Sequence, residues 1–412
     1  MKLEVRGDQI SAELEALALF SDAPAPAVTR VVFSDPDLRA RRWLKELCAA
    51  AGLTVGEDAV GNTFARWEGS APELAAVGSG SHIDAIPHSG RYDGTVGVLG
   101  ALEAIRALQR AGVRPRRSIE LILFTSEEPT RFGIGCLGSR LLSGSLEPAR
   151  AKALIDSDGA GLEEIRTGAG FSGPLETVRL KGGSYHAFVE LHIEQGPLLE
   201  RAGIPLGIVT AIAAPATLRI QIEGEGGHAG AVLMADRRDA FAAAAEIALA
   251  VEATAKSTGS VDSVGTVGIC EIFPGVVNGI ASRAGMLADV RDIDLARRDG
   301  MLQAIRERAE SIAAARRVAV RCEVLNADAP AQADARVVET LRSCAETLGL
   351  SYRTMISRAY HDSLFMARIA PSGMLFIPCR GGVSHRPDEF AAPEDIVLGV
   401  RVLAAALADL AR

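Results

Sequence analysis

The first half of the chain alternates short, β-branched apolar runs with longer segments of helical period. The apolar runs at residues 74–78 and 119–124 predict buried strands, and the segments at residues 97–110 and 137–142 predict the helices that follow them. Strands and helices that alternate in this way favour an α/β fold with helices on the faces of a sheet.

A different pattern begins near Ala213 and ends near Leu325. Strict alternation of apolar and polar positions predicts strands there, and helical period predicts amphipathic helices. The strand segments are residues 218–224 and 286–291, and the helix segments are residues 237–256 and 298–316. We therefore predict an inserted α+β domain. The predicted division is residues 1–212 with 326–412 for a discontinuous first domain and 213–325 for the insertion, with a candidate hinge at 206–208.

Polar residues that can bind a metal follow two of the predicted strands, and others lie further along the chain. The set is His82, Asp84, Asp93, Glu127, Glu128, His192 and His385. Ligands bind at the carboxyl ends of strands in open α/β sheets. Imidazoles mixed with carboxylates, without cysteine, suit zinc, manganese, cobalt or ferrous iron. One carboxylate shared by two ligand groups would hold a metal pair.

Each member of this set also has a purely structural explanation. A lone histidine is more often a packing or surface residue, and an Asp-Gly pair such as Asp93-Gly94 is usually a turn. Two glutamates before Pro129 are typical of a solvated helix start. Spacing alone therefore leaves the metal site and the structural explanation open.

Two other motifs fail on their context. Residues 133–138 (GIGCLG) match G-x-G-x-x-G, but a polar segment, residues 125–132, separates them from the predicted strand. A dinucleotide-binding turn follows its strand directly. His192-Ile193-Glu194 with Pro378-Cys379 lacks the second cysteine of the nucleobase deaminases.

The composition argues against some classes of binding partner. The chain has 44 Lys+Arg against 52 Asp+Glu, a formal net charge of −8, which argues against nucleic acid and anionic membranes. No signal peptide or spanning segment is legible. The six cysteines are widely spaced, which indicates neither a disulfide scaffold nor a thiolate site. We expect a soluble protein of the reducing cytoplasm.

Four segments together resemble the amidase/carbamoylase branch of the M20 metallopeptidase family. They are residues 80–84 (GSHID), 90–94 (GRYDG), 125–133 (TSEEPTRFG) and 192–197 (HIEQGP). The resemblance implies a di-metal aminopeptidase-like catalytic domain, with a mixed central sheet flanked by helices. It also implies that the inserted α+β domain is a lid that forms the homodimer.

The resemblance implies two divalent ions per subunit, with manganese preferred and zinc, cobalt or nickel as alternatives. The first ion would bind His82, Asp93 and His192, and the second would bind Asp93, Glu128 and His385. Asp93 would bridge the two ions. Asp84 would hydrogen-bond His82 and fix its tautomer. Glu127 would act first as general base and then as general acid.

Other residues match positions that contact the substrate in that family. They are Gln195, His228, Asn278 and Arg291, with Tyr360 and His361 beside the expected pocket. His228 would also stabilise the developing oxyanion. Arg291 has a structural alternative, an ion pair with Asp289, Asp292 or Asp294. The Pro-Gly that commonly follows the asparagine is absent after Asn278, which leaves the loop shape open, and His88 and His186 receive no role.

Three stretches favour the ureidoglycolate amidohydrolases within the branch. They are residues 81–87 (SHIDAIP), 132–140 (FGIGCLGSR) and 359–369 (AYHDSLFMARI). The expected reaction cleaves the ureido C–N bond of (S)-ureidoglycolate, in purine catabolism, to glyoxylate, ammonia and carbon dioxide. An N-carbamoyl-L-amino-acid hydrolase and an allantoate amidohydrolase are the alternatives. His192 and Gln195 argue against a peptidase, and the complete ligand set argues against a metal-free binding protein.

Overall fold

The computed structural model of the protein describes residues 3–412, which form two compact units. The first comprises residues 3–211 and Gln332–Arg412, and the second comprises Ile212–Ala331. The second unit ends later than the residue 325 expected from the sequence, because its last strand continues to Ala327. The lid and dimerisation roles of this unit stay predictions.

The strands found in residues 3–412 are numbered in chain order. They are β1 (Val28–Arg30), β2 (Thr54–Glu57), β3 (Thr63–Trp67), β4 (Ala76–His82), β5 (Ala85–Ser89), β6 (Ile119–Phe124), β7 (Tyr185–Ile193), β8 (Gly207–Ile212), β9 (Ala214–Glu223), β10 (Gly227–His228), β11 (Val264–Phe273), β12 (Gly279–Ile280), β13 (Arg283–Asp292), β14 (Ala319–Ala327), β15 (Ala331–Gln332), β16 (Arg353–Ser357) and β17 (Ser372–Ile377).

The α-helices in the same described residues follow the same convention. They are α1 (Gly7–Ala18), α2 (Asp35–Ala50), α3 (Thr95–Arg110), α4 (Leu137–Ser143), α5 (Pro148–Lys152), α6 (Leu162–Gly168), α7 (Leu198–Ala202), α8 (Ala240–Ser257), α9 (Leu295–Arg316), α10 (Ala335–Thr347), α11 (Ser363–Met366) and α12 (Pro393–Leu410). No helix of residues 3–412 combines the length and the apolar character that a membrane crossing needs.

The first unit is built on a nine-stranded mixed sheet. Its order is β15-β8-β17-β7-β4-β6-β3-β2, and β16 pairs with β8. The central strands β17, β7, β4 and β6 are parallel, whereas β8 and β3 run antiparallel to their neighbours. This arrangement confirms the predicted α/β class. The four parallel strands place their carboxyl ends along one edge of the sheet.

The central strand β4 has only glycine and serine at residues 78–81, where its neighbours approach it closely. A Cβ atom at Gly80 would lie 1.9 Å from the carbonyl oxygen of Ile122, and one at Gly97 in α3 would lie 2.7 Å from the Cβ of Ser81. The strand predicted at residues 74–78 ends too early, since the buried strand covers the whole segment Ala76–His82. Its small side chains let α3 pack directly on the sheet.

Two apolar cores flank this sheet. One packs α1, α3, α10 and α12 against one face, with buried side chains such as Leu99 and Leu403. The other contains Phe124, Phe188 and Leu141. Each fully buried side chain of this size contributes about 1.5–3 kcal/mol through the apolar surface removed from water.

The second unit has its own antiparallel sheet and core. The strand order is β11-β13-β9-β14, and α8 and α9 supply the buried side chains that complete the core. Along β9, buried and exposed residues alternate, as the sequence pattern predicted. Strand β11 lies at one edge of the sheet, and sequence reasoning did not identify it. A separate ribbon of β10 and β12 places His228 opposite Gly279.

Candidate metal centre

The predicted ligands of the first unit come together at the carboxyl ends of its parallel strands. His82 is the last residue of β4, and His192 lies next to the end of β7. Glu128 follows β6, Asp93 precedes α3, and His385 lies in the loop after β17. The close packing of α3 on the sheet brings Asp93 to the strand ends.

The ligand atoms form two groups that share the carboxylate of Asp93. Asp93 Oδ1 lies 3.5 Å from His82 Nε2 and 3.2 Å from His192 Nε2. Asp93 Oδ2 lies 3.5 Å from His385 Nε2, which is 3.0 Å from Glu128 Oε1. Two ligand atoms bound at about 2.1 Å to one tetrahedral ion lie about 3.4 Å apart, so both groups have the spacing that a metal ion requires.

The orientation of the imidazoles also fits a metal. His82 Nδ1 lies 3.0 Å from the carbonyl oxygen of Asp84, and His192 Nδ1 lies 2.9 Å from that of Ile193. With Nδ1 donating to a carbonyl, Nε2 carries the lone pair and points at Asp93. The backbone N–H of Gly94 donates to His192 Nε2, which agrees with this tautomer. The residues present therefore fit a pair of divalent ions.

Asp84 contacts His82 differently from the expected carboxylate hydrogen bond. Its carbonyl oxygen accepts from His82 Nδ1, while its carboxylate Oδ1 lies 3.7 Å from that nitrogen. The carboxylate instead accepts from the backbone N–H groups of Glu127 and Glu128, at 3.2 and 3.0 Å. Asp84 therefore orients the histidine with its main chain and the two glutamates with its side chain.

Glu127 lies beside the first ligand group and is buried. Its Oε2 atom is 3.7 Å from His82 Nε2, and its Oε1 atom accepts a hydrogen bond from the thiol of Cys136 at 3.5 Å. Burial holds the pKa of Glu127 well above its usual range, against the opposing charge of His82. A carboxylate in this environment has the elevated proton affinity that a general base needs near neutral pH.

The electrostatics of the cluster favour cations. Although burial alone would raise it, the neighbouring imidazoles of His192 and His82 hold the pKa of Asp93 well below its usual range. The pKa of His385 is raised to about 9, above all by its hydrogen bond to Glu128. Divalent ions would displace the protons that these histidines otherwise attract.

Backbone strain is concentrated around the site. Four residues of its loops adopt positive φ angles although they are not glycine: Ser126 (56°), Cys136 (57°), Gln195 (54°) and His385 (58°). Such conformations cost on the order of 1 kcal/mol or more and persist where the surrounding structure enforces them. The loops are thus held in specific shapes that direct their side chains.

Gln195, a predicted substrate contact, is bonded to the shared carboxylate. Its Nε2 donates to Asp93 Oδ2 at 2.6 Å, while Oε1 is buried and accepts no hydrogen bond from residues 3–412. A buried acceptor without a donor is costly, typically about 1–3 kcal/mol. Oε1 is therefore a position at which an N–H group of a ligand would be favourable.

Tyr360 and His361 lie behind the ligands rather than in open space. His361 is buried, its ring packs edge-on against the His192 ring with centroids 4.5 Å apart, and its Nε2 is 2.8 Å from Ser357 Oγ. Tyr360 is partly buried, and its hydroxyl accepts from Arg140 at 3.2 Å. His361 thus supports a metal ligand directly, whereas direct substrate contacts of both residues stay predictions.

The remaining predicted residues lie in the second unit. His228 on β10 and Asn278 beside β12 are neighbours, because Ala229 N–H donates to the carbonyl of Asn278 at 2.9 Å, and both side chains are exposed. Arg291 lies near the far end of β13 and makes a two-point ion pair with Asp289, at 2.7 and 3.0 Å. The structural alternative for Arg291 is therefore realised in part.

Sequence reasoning missed several polar residues that hold the site. The buried carboxylate of Glu190 accepts from the hydroxyls of Ser81 and Ser363, at 2.7 and 2.6 Å. Glu389 and Ser384 contact Asp93, and Cys136, to which no role was given, contacts Glu127. The only sequence signal for Ser384 and Glu389 is their closeness to His385. His186 contacts Arg336, a pairing that no motif indicated.

The glycine-rich segment 133–138 has a steric explanation. A Cβ atom at Gly138 would lie 2.0 Å from Asn62 Oδ1, and one at Gly135 would lie 2.8 Å from the carbonyl oxygen of Glu127. The glycines let the segment pass against the loop that carries Glu127, which agrees with the rejection of a dinucleotide-binding motif.

Comparison with known proteins gives one family. The model of peptidase family M20/M25/M40 matches residues 78–409. Ureidoglycolate hydrolase of Arabidopsis thaliana is 54% identical over 415 residues, 99% of this chain and 87% of that protein. An N-carbamoyl-L-amino acid amidohydrolase of Geobacillus stearothermophilus is 38% identical over 97% of each chain.

Solved structures give the same result. Crystal structures of AtUAH in complex with glyoxylate and with (S)-hydroxyglycine both superpose with a TM-score of 0.89. They are 54% and 53% identical to this chain, and each comparison covers 99% of this chain and 98% of the other.

Proposed function

Since the chain belongs to peptidase family M20/M25/M40, it is a hydrolase of C–N bonds, and we propose that it cleaves the ureido group of (S)-ureidoglycolate. The reaction type is inferred from the two ligand groups that share Asp93 and from the position of Glu127 beside them. The observation that favours this substrate is the 54% identity to ureidoglycolate hydrolase, against 38% to an N-carbamoyl-amino-acid hydrolase.

We propose that two divalent ions occupy these groups, manganese preferentially, with zinc, cobalt or nickel as alternatives. His82, Asp93 and His192 would hold one ion, and Asp93, Glu128 and His385 the other. The mixture of imidazole and carboxylate without thiolate supports this choice. When bound, divalent ions supply Lewis acidity, which makes water more acidic and stabilises negative charge on a carbonyl oxygen.

The proton transfers are assigned to Glu127. Its carboxylate accepts a proton as water attacks the ureido carbon, and it returns the proton to the terminal nitrogen as that C–N bond breaks. Ammonia leaves, and the remaining carbamate loses carbon dioxide to give (S)-hydroxyglycine. Loss of a second ammonia from this product gives glyoxylate. Both of these products are the molecules bound in the AtUAH structures.

We propose substrate contacts from both units. In the first unit, Gln195 Oε1 would accept from a ureido N–H, with Tyr360 and His361 near the pocket. In the second, His228 would donate to the developing oxyanion, which is worth on the order of 3 kcal/mol. Asn278 and Arg291 would bind the carboxylate end of the substrate. The Arg291 guanidinium would then interact with both Asp289 and the substrate carboxylate.

A homodimer through the second unit is part of the proposal. β11 lies at the edge of its sheet and carries exposed apolar side chains, Ile269 at 49% and Phe273 at 53% exposure. A long apolar edge strand offers unpaired backbone groups to another strand. Antiparallel pairing of β11 with the same strand of a second copy would give a closed two-fold dimer.

We also propose a reducing, cytoplasmic location, since all six cysteines are free.

Product stoichiometry tests the substrate assignment. The manganese-loaded protein would be assayed with (S)-ureidoglycolate, allantoate and a panel of N-carbamoyl-L-amino acids, with metal-free protein as control. We expect the highest kcat/KM for ureidoglycolate, with glyoxylate and two ammonia released per molecule. A higher kcat/KM for a carbamoyl amino acid, with one ammonia per molecule, would establish the alternative function instead.

A further inference from the structure

Glu389 is a buried carboxylate that holds the loop of the shared ligand. Its Oε1 atom accepts from the backbone N–H of Tyr92 at 2.7 Å and from that of Asp93 at 3.1 Å. Only 4% of the residue is exposed. These two hydrogen bonds fix the turn that presents Asp93, and their acceptor comes from a segment almost 300 residues later in the chain.

The same carboxylate reaches the loop of His385 through Ser384. The Ser384 hydroxyl lies 3.0 Å from Glu389 Oε2 and 2.5 Å from Asp93 Oδ2, and it donates its single hydrogen to one of them at a time. Ser384 is adjacent to His385, whose backbone has a φ of 58°. Glu389 and Ser384 therefore connect the backbone of Asp93, the carboxylate of Asp93 and the loop of His385.

The absence of a side chain at Gly90 leaves space for Glu389. A Cβ atom at Gly90 would lie 2.4 Å from the Cβ and carboxylate atoms of Glu389, so only glycine at this position lets Glu389 approach the 90–94 turn. On the other side, Glu389 N–H donates to the carbonyl of Arg386, which closes the turn that follows His385. Both loops are thus shaped around one side chain.

We propose that Glu389 is a positioning residue that sets the distance between Asp93 and His385 and thereby builds the second metal group. This inference rests on the proposed two-ion function. The first group depends less on Glu389, because His82 and His192 are held by strands β4 and β7. Loss of Glu389 should therefore weaken the second ion selectively.

The number of manganese ions bound per subunit distinguishes this positioning role from a general effect on the fold. Wild type, Glu389→Ala and Glu389→Gln would be stripped of metal and titrated with manganese, following bound ions per subunit by equilibrium dialysis and elemental analysis. For Glu389→Ala we expect the second ion to bind about 10- to 100-fold more weakly, as is typical when a residue that orients ligands is lost. At intermediate manganese, the variant would hold one ion where wild type holds two.

Glu389→Gln tests positioning against charge. The glutamine oxygen can accept from the Tyr92 and Asp93 N–H groups, and its amide can donate to Ser384, which then donates to Asp93. Positioning predicts that this variant binds the second ion within a few-fold of wild type. If glutamine weakens the second ion as strongly as alanine does, the charge of Glu389 matters and the positioning role is wrong.

Two further comparisons make each outcome decisive. Glu394→Gln removes the same charge from an exposed residue nearby and should bind both ions as wild type does. If Glu389→Ala fails to fold, Ser384→Ala removes only the connecting hydroxyl and should still weaken the second ion. Equal binding of two ions by wild type and all variants overturns the inference, whereas fewer than two ions on wild type overturns the proposed function itself.

Discussion

At the scale of single residues, Asp93 depends most on its surroundings. Its two carboxylate oxygens face different histidines, Gln195 donates to Oδ2, and the Ser384 hydroxyl lies within hydrogen-bond distance of the same atom. A small displacement of this carboxylate would therefore disturb both ligand groups, and above all the second, whose His385 lies in a loop. Residues that orient the ligands are in this site as consequential as the ligands themselves.

Replacement of Glu127 by glutamine tests the proton-transfer role. Glutamine preserves size but cannot accept the proton, so kcat for ureidoglycolate should fall by roughly 10²- to 10⁴-fold. Bound manganese should remain at the wild-type level, because the metal groups do not include Glu127. Glu164→Gln, an exposed substitution in the same unit, should leave kcat unchanged. Full activity of Glu127→Gln would contradict the assignment.

Asp362 should make stability depend on pH. Burial, together with the nearby Glu190 carboxylate, raises the pKa of Asp362 to about 8. Its Oδ1 is 2.5 Å from Ser139 Oγ, and its buried Oδ2 has no partner in residues 3–412. The folded state then keeps a proton that the unfolded chain releases above about pH 4. This stabilisation is complete below that pH and is lost as pH rises to about 8.

Asp362→Asn removes this linkage while keeping an acceptor, the amide oxygen, for the Ser139 hydroxyl. Unfolding free energies of metal-free wild type and variant would be measured from pH 5 to 8. We expect the difference between them to move in favour of the variant by on the order of 1 kcal/mol per pH unit. Asp388→Asn, at an exposed carboxylate, serves as the control. Parallel curves for wild type and Asp362→Asn would show that Asp362 does not hold the proton.

The sequence predicts some residues of the site and not others, for a physical reason. His82 and Glu128 are legible because they lie at or just after strands and carry side chains typical of ligands. Glu389 and Glu190 are not, since a charged residue normally predicts a solvated surface and only the fold shows them buried at 4% and 0% exposure. Their roles depend on contacts between distant segments.

At the scale of elements, predictability follows burial pattern. The sequence predicts β6 with its observed bounds because five of its six residues are apolar and all six are buried. β4 was predicted too short because small residues replace apolar ones where α3 packs on it. β11 was missed because it contains Gly265 and Gly268 and is exposed along most of its length, which removes the alternation that indicates a strand.

The exposure of β11 leads to a prediction about assembly. Ile269→Lys places a charge on the proposed pairing edge, so the dimer should dissociate, with the mass measured by light scattering falling to that of one chain. Ala319→Lys introduces the same charge on the edge strand at the other side of the sheet, β14, and should leave the dimer intact. A dimeric Ile269→Lys protein, or a monomeric wild type, would contradict pairing through β11.

At the scale of the whole molecule, the proposed functional residues are distributed over two units with separate cores. The metal ligands and Glu127 belong to the first unit, whereas His228, Asn278 and Arg291 belong to the second. The change of hydrophobic pattern near Ala213 predicts the start of the insertion, since a sheet with one exposed face alternates and a buried parallel sheet does not. The end of the insertion is less legible, because β14 is only partly buried on both faces.

Anomalous diffraction from crystals of the manganese-loaded protein would locate the bound ions directly. We expect two peaks per subunit, one on each side of the Asp93 carboxylate. The first would lie among His82, Asp93 and His192, and the second among Asp93, Glu128 and His385. A single peak, or peaks that do not share Asp93, would contradict the two-ion site on which the proposed reaction depends.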